Sequence, residues 1–283
     1  CNIGPAGYAP AGINNSKKII AVINRCIPRV YGSNHDYHVS DISGFVEFDE
    51  SAAQASAAPP TELENKIASY ILEQIPDGAC IQLGIGGTAN AVGYGLKDKK
   101  HLGVHSEMYT DSMAYLQKIG VIDNSQKSFM AGRSVCGFSL GTKDTLDFIE
   151  NNPKVYYTPY EYVNDIRNIA ANDQMISINT SLSIDLTGQL CSESIGFRQF
   201  SGSGGQVDYI RGPYGGGPRN PKPFWTDGEF EFWLNVKLAS KTAVGEGIRL
   251  MFKVKPDKLF CNLPFLCNLP YLCKLPLFRT VFD

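Results

Sequence analysis

The apolar positions Leu63, Ile67, Ile71 and Ile75 recur every four residues among polar neighbours, which predicts an amphipathic helix. Thr61 and Glu64 stand ahead of it as a T-x-x-E capping box. A run without alternation, Ala79-Cys80-Ile81-Gln82-Leu83, then reads as a strand. Gly84-Ile85-Gly86-Gly87 turns the chain, and small residues from about Thr88 to Leu96 make the next helix. Strand, glycine turn and helix form a βα unit. The alternation continues with a short strand from Leu102 to His105, a helix near Thr110 to Leu116, a strand near Ser134 to Phe138, a helix over Thr142 to Glu150 and a strand near Val155. It predicts an α/β domain on a mainly parallel sheet flanked by helices. Two strand-like runs between Met175 and Leu190 flank Leu186-Thr187-Gly188 and predict a hairpin added to that sheet. Upstream, Ile19 to Asn24 and Val39 to Val46 read as short strands about a polar turn at Gly32 to Asp36, and Ser51 to Pro60 is an Ala/Ser/Pro linker.

Composition narrows the function. With 43% hydrophobic residues in 283, the chain can bury a substantial core. Its 26 basic and 28 acidic residues give a net charge of -2, without the basic surplus that nucleic acid or an anionic membrane demands. No apolar run approaches the roughly 20 residues that span a bilayer, so a soluble, cytoplasmic protein is the default expectation. The eight cysteines form no C-x-x-C pair and are expected to be buried thiols, and four histidines without an H-E-x-x-H spacing give no support for a metal site. The chain starts at Cys1 with no initiator Met, and Asn2 to Gly12 reads like a loop inside a domain, so an upstream part is expected to be missing. From Cys261 to Phe278 run three near-copies of a six-residue unit, C-N-L-P-F-L, C-N-L-P-Y-L and C-K-L-P-L-F, whose prolines exclude a long helix or a central strand.

Three features could carry chemistry. The glycine turn at the carboxyl end of a strand offers unhindered backbone N–H groups beside a helix N-terminus, an arrangement that attracts phosphate or an oxyanion. It equally serves tight strand–helix packing, being neither a full dinucleotide fingerprint nor a P-loop. Glu107, after the strand that ends at Val104-His105-Ser106, is expected at the same edge of the sheet, where open α/β folds bind ligands. It also fits as a helix N-terminal carboxylate beside Thr110 and Asp111. The run Cys191 to Gly196 followed by Ser201-Gly202-Ser203-Gly204-Gly205-Gln206 offers Glu193 and a second glycine loop, read as an anion cradle or as a surface turn. His105 could orient Glu107, although a lone histidine on a strand is more commonly a core residue.

Taken together, Ile81-Gln82-Leu83-Gly84-Ile85-Gly86-Gly87, Gly103-Val104-His105-Ser106-Glu107-Met108, Asn164-Asp165-Ile166-Arg167, Ser192 to Gly196 and Ser201 to Gln206 closely resemble the acetyl-CoA hydrolase/transferase family, nearest in look to its 4-hydroxybutyrate and butyryl-CoA:acetate CoA-transferases. The resemblance runs less sharply from about Pro28 to Asp208. It implies two related α/β domains, of which residues 1–60 retain a remnant of the first, 61–212 form the catalytic domain, and 213–283 are a tail foreign to the family, lacking its CoA-contacting lysine. It further implies Glu107 as nucleophile, CoA binding by Gln82, Leu83, Gly84, Ile85, Gly86 and Gly87, and a CoA contact at Gly204 and Gly205. Coenzyme A is then a substrate rather than a bound cofactor. The implied partners are acyl-CoA and short-chain carboxylates, with homo-oligomerisation left open. A carboxylate suits the task because a glutamate, with a reference pKa of about 4.3, is ionised near neutral pH without a general base. Hydrolysis by water at the same glutamate, and a non-catalytic CoA-binding fragment, are the alternatives.

Overall fold

The computed structural model describes residues 7–34, 36–184, 189–214, 230–237 and 247–254. In chain order the elements are α1 (Ala9–Asn14), β1 (Ile20–Ile23), β2 (Tyr31–Gly32), β3 (Gly44–Glu47), α2 (Glu62–Gln74), β4 (Cys80–Leu83), α3 (Gly87–Gly95), β5 (Gly103–Tyr109), α4 (Asp111–Lys118), β6 (Ser134–Ser139), α5 (Lys143–Ile149) and β7 (Val155–Tyr157). There follow α6 (Tyr160–Val163), α7 (Ile166–Ala170), β8 (Met175–Ile178), β9 (Ser183–Ile184), β10 (Leu190–Cys191), β11 (Ser194–Ile195), β12 (Arg198–Gln199), α8 (Gln206–Tyr214), β13 (Phe230–Lys237) and β14 (Gly247–Val254). Six strands form one parallel sheet in the order β2-β7-β6-β5-β4-β8. This is the expected α/β architecture.

All four residues of β4 are buried, as a strand covered on both faces requires, with Gln82 the one polar residue among them. Ile81 and Leu83 point into the larger core with Ile75, Val92, Leu96 and Met113 of the α2 to α5 layer. Cys80, on the opposite face, joins Ile169, Met175 and Tyr209 beneath α7 and α8. The capping box of α2 is complete: Thr61 Oγ1 accepts from the Glu64 N–H at 3.2 Å, and Glu64 Oε2 accepts from the Thr61 N–H at 2.7 Å. Thr61→Ala removes one half of that exchange and is expected to lower unfolding stability by about 1 kcal/mol, read from a denaturation midpoint at unchanged slope. An unmoved midpoint would deny the cap its role.

Where β5 begins, ahead of its first pairing with β6, side chains complete the backbone hydrogen bonding. Asn124 Oδ1 accepts from the Val104 N–H at 2.9 Å, and the buried Lys127 ammonium donates to the Val104 and Arg133 carbonyls, each at 2.8 Å. Burial draws the Lys127 pKa down to about 8.

Several expectations need correction. β5 does not stop at Ser106 but continues to Tyr109, because β6 pairs with it as far as Tyr109↔Ser139. Of the segment Val39 to Val46, only Gly44 onward is strand; Val39–Asp41 is a 3₁₀ turn that His38 caps by accepting from the Ser40 N–H. β8 is a strand of the main sheet, parallel to β4, and the hairpin is a separate ladder of β9 with β10. Its turn, Leu186 to Gly188, lies outside the described residues, as does the Cys261 to Phe278 repeat. Cys80 and Cys136 are buried thiols as expected, but Cys26 is exposed and Cys191 partly so; the other cysteines lie outside the described residues.

The segment before the linker reaches into the main sheet, since β2 pairs with β7 and Val30 enters the core, joined there by Ala52 of the linker. β1 and β3 form a two-stranded parallel sheet of their own. β13 and β14 likewise pair with each other. No helix among the described residues is long and apolar enough to cross a membrane.

Candidate active site

Glu107 lies near the carboxyl end of β5, on the face covered by α6 to α8. Neighbouring His105 on that face holds the helices: its Nε2 donates to the Val163 carbonyl at 2.8 Å, and the Tyr209 hydroxyl of α8 donates to the same oxygen at 3.1 Å. Asn164 closes α6, and its Nδ2 donates to Glu107 Oε2 at 2.7 Å. Gly205 accepts the first helical hydrogen bond of α8, from the Tyr209 N–H at 3.1 Å, so it is the helix's N-cap. A Cβ at Gly205 would overlap Glu107 Oε2 and come within 2.7 Å of Asn164 Nδ2. Only glycine lets the α8 N-terminus, with its positive dipole end, approach the carboxylate this closely.

The two glycine motifs converge differently. The ladder between β4 and β5 covers only Cys80↔Gly103 and Ile81↔Val104, whereas β4 stays paired to β8 through Leu83↔Ile178. The sheet therefore parts between β4 and β5 toward its carboxyl edge, the kind of crevice where open α/β sheets take ligands. Continuing the register sets Gly84 level with Glu107 across that gap. Gly86, with φ of 137°, and the 72% exposed Ile85 form the outer part of this lip. A side chain at Gly84 would meet Asn179 Oδ1 at 2.9 Å.

Gln82 and Leu83 occupy structural positions. Leu83 is core, and Gln82 is tied into a buried polar network in which its Nε2 donates to Asn179 Oδ1 at 3.1 Å and its Oε1 accepts from Asn179 Nδ2 at 3.0 Å and from the Ser177 hydroxyl. Gly87 begins α3, where a Cβ would overlap the Glu64 carboxylate, so that helix end already has an anionic neighbour. Gly204 is exposed, with φ of 55° and open space around it.

Sequence reasoning on its own did not give Asn164 a role. It lies 57 residues from Glu107, and its only signal was membership of the Asn164-Asp165-Ile166-Arg167 run. The rest of that run is structural: Asp165 caps α7 by accepting from the Arg167 N–H at 2.8 Å, and hydrogen bonds from Arg167 hold its carboxyl at about 2. Glu193, the other candidate carboxylate, is at the β10 to β11 turn, where its backbone carbonyl accepts from Phe200 and Ser201. No group of side chains able to hold a metal occurs among the described residues. A hollow of about 470 Å³ between α2, α3 and α4, lined by Leu72, Tyr94 and Tyr115 among others, contains none of the candidate residues.

His105 is fully buried and not the partner of Glu107. Burial first, and the Lys127 charge second, push its pKa down to about 3. The unfolded chain binds a proton there below about 6.5 that the folded chain refuses until about 3, so this histidine makes stability fall as pH drops through that window. In His105→Phe the loss of unfolding midpoint between pH 6.5 and 4 is expected to be shallower than in the parent; parallel pH profiles would contradict the assignment.

The acetyl-CoA hydrolase/transferase C-terminal domain model matches residues 141–218. The succinyl-CoA:cyclohexane-1-carboxylate CoA transferase of Geobacter metallireducens is 41% identical over 212 residues, 75% of this chain and 48% of that protein. The 4-hydroxybutyrate coenzyme A transferase of Clostridium kluyveri is 43% identical over 213 residues, 75% of this chain and 49% of its own length. Among solved structures, RipA from Yersinia pestis superposes with a TM-score of 0.69 at 32% identity, over 76% of this chain and 48% of that one. The 4-hydroxybutyrate CoA-transferase of Porphyromonas gingivalis gives 0.67 at 32%, over 76% and 51%. The chain thus spans about half the length of the relatives it matches. Over that matched part, the chain is similar to proteins of the acetyl-CoA hydrolase/transferase family.

Proposed function

We propose that this chain carries the nucleophile of a CoA transferase that moves coenzyme A between a short-chain acyl-CoA, such as 4-hydroxybutyryl-, butyryl- or acetyl-CoA, and a carboxylate such as acetate. One observation carries the reading: Glu107 stands at the edge of the β4–β5 crevice with its carboxylate between the Asn164 amide and the N-terminus of α8. The names of the relatives support the substrate class.

A Glu107 oxygen attacks the thioester carbonyl, and collapse of the tetrahedral oxyanion expels CoA thiolate and leaves an acyl-glutamyl anhydride. The thiolate then attacks the glutamyl carbonyl; the bond from the glutamyl carbon to the bridging oxygen breaks, the first acid leaves as a carboxylate with that oxygen, and Glu107 holds CoA as a thioester. An incoming carboxylate reverses both steps. No proton is transferred, so the site needs no general base. During attack on the glutamyl carbonyl, negative charge grows on the Glu107 oxygen that Asn164 Nδ2 already meets at 2.7 Å. That amide donates where the charge develops, with the positive end of α8 beside it, and preorganised donors there lower a barrier most. The exposed Gly84-Ile85-Gly86 lip, level with Glu107, is the backbone along which we place the pantetheine arm.

The test is acceptor dependence. With butyryl-CoA and acetate the protein should form acetyl-CoA and butyrate, and omission of acetate should stop CoA exchange. Release of free CoA at the same rate with and without acetate would instead identify a hydrolase.

A further inference from the structure

Tyr160, the first residue of α6, has its ring fixed by two glycines from different parts of the chain. A Cβ on Gly137 of β6 would come within 2.7 Å of the ring and 3.2 Å of the Glu107 carbonyl oxygen, and a Cβ on Gly7 would overlap the same ring. Gly137 is the cross-strand neighbour of Glu107, since Ser106↔Cys136 and Met108↔Phe138 pair on either side of them. The aromatic ring therefore lies over the strand beside the nucleophile and level with it. Tyr8 stands 6.1 Å from it, centroid to centroid, and Phe138 meets it edge-on at 6.2 Å. Tyr8 is 61% exposed, so this aromatic group faces open space as well as protein. The Tyr160 hydroxyl is held protonated, its pKa pushed up to about 12 by burial and then by the Glu107 and Tyr8 charges.

An acyl carbonyl must come to roughly 3 Å from a Glu107 oxygen to react, so the first carbons of its chain lie among the groups flanking that side chain. One flank, Asn164 and the start of α8, is polar. The flank over Gly137 is aromatic and partly open, and there an aliphatic chain loses water-exposed surface against the rings. Resting on the reading of Glu107 as nucleophile, we infer that Tyr160, supported by Tyr8 and Phe138, is the wall that receives the acyl chain and selects for unbranched aliphatic acyl groups of a few carbons. The glycines are part of the device: with Gly137 and Gly7 packed on it, the ring cannot swing aside, so the wall has a fixed position.

Binding rather than turnover separates this inference from its parent. A Glu107→Gln chain cannot form the thioester, and its affinity for free CoA, acetyl-CoA and butyryl-CoA can be measured by calorimetry. Burial of each added methylene against the wall should tighten binding by up to about fourfold, so butyryl-CoA should bind about tenfold tighter than acetyl-CoA. Adding Tyr160→Ala should remove most of that ratio and Tyr160→Phe should keep it. Tyr8→Ala, at a position 61% exposed, should reduce the ratio two- to threefold. Equal affinity for all three ligands, or an unchanged ratio in Tyr160→Ala, overturns the inference while the CoA site stands. Absence of CoA binding altogether overturns the inference and its parent together.

Discussion

Glu107→Gln is expected to lower CoA transfer by on the order of 10⁴-fold or more, since the change removes the atom that forms the covalent bond and leaves almost everything else in place. Glutamine keeps the length of the side chain, and its carbonyl oxygen can still accept from Asn164 Nδ2, which meets Glu107 at 2.7 Å. The folded state should therefore be preserved, with CoA affinity retained. Glu107→Asp keeps the charge but withdraws it by one methylene, about 1.5 Å, and a displacement of that size is expected to cost about 10²-fold. A Gln variant with more than a tenth of parental activity would exclude Glu107 as the nucleophile.

The second large effect is expected at Gly205. Any side chain there overlaps Glu107 Oε2 and crowds the Asn164 amide, so Gly205→Ala must either push the carboxylate from its resting position or shift the start of α8. Both responses separate Glu107 from its donors, and loss of one oxyanion donor typically costs 10²- to 10³-fold in kcat. The effect on stability should be small, because alanine at an N-cap costs about 1 kcal/mol. Asn164→Ala provides the complementary measurement, removing the donor without adding bulk. If Gly205→Ala lowers kcat no more than threefold, the α8 N-terminus is not part of the reaction site.

How much of this could be read from the sequence depended on how local the determinants were. The capping box at Thr61, the four-residue repeat through Ile75 and the run without alternation in β4 are local, and each formed the predicted element. The strand carrying Glu107 looks as if it ends at His105, Ser106 and Glu107, whereas His105 and Glu107 are accommodated by partners far away in sequence, the Val163 carbonyl and the Asn164 amide. Nothing local reveals that β8 belongs to the main sheet, where Ser177 and Asn179 bond to Gln82, nearly a hundred residues earlier. The short helices α6 and α7, of 4 and 5 residues, have too few turns to show a period. In the site itself, Glu107 and the glycines were legible as motifs. Their mutual contact and the part of Asn164 were not, since both arise only when α6 and α8 pack on β5.

Covalent trapping tests the central claim most directly. The protein is incubated with butyryl-CoA in the absence of an acceptor acid, treated with borohydride to reduce any glutamyl thioester to the alcohol, digested and mapped by mass spectrometry. The account predicts a single reduced side chain, at Glu107, whose formation requires acyl-CoA and is prevented by prior addition of excess acetate and butyrate. Modification at Glu193, or none anywhere while acetate-dependent transfer proceeds, would contradict it.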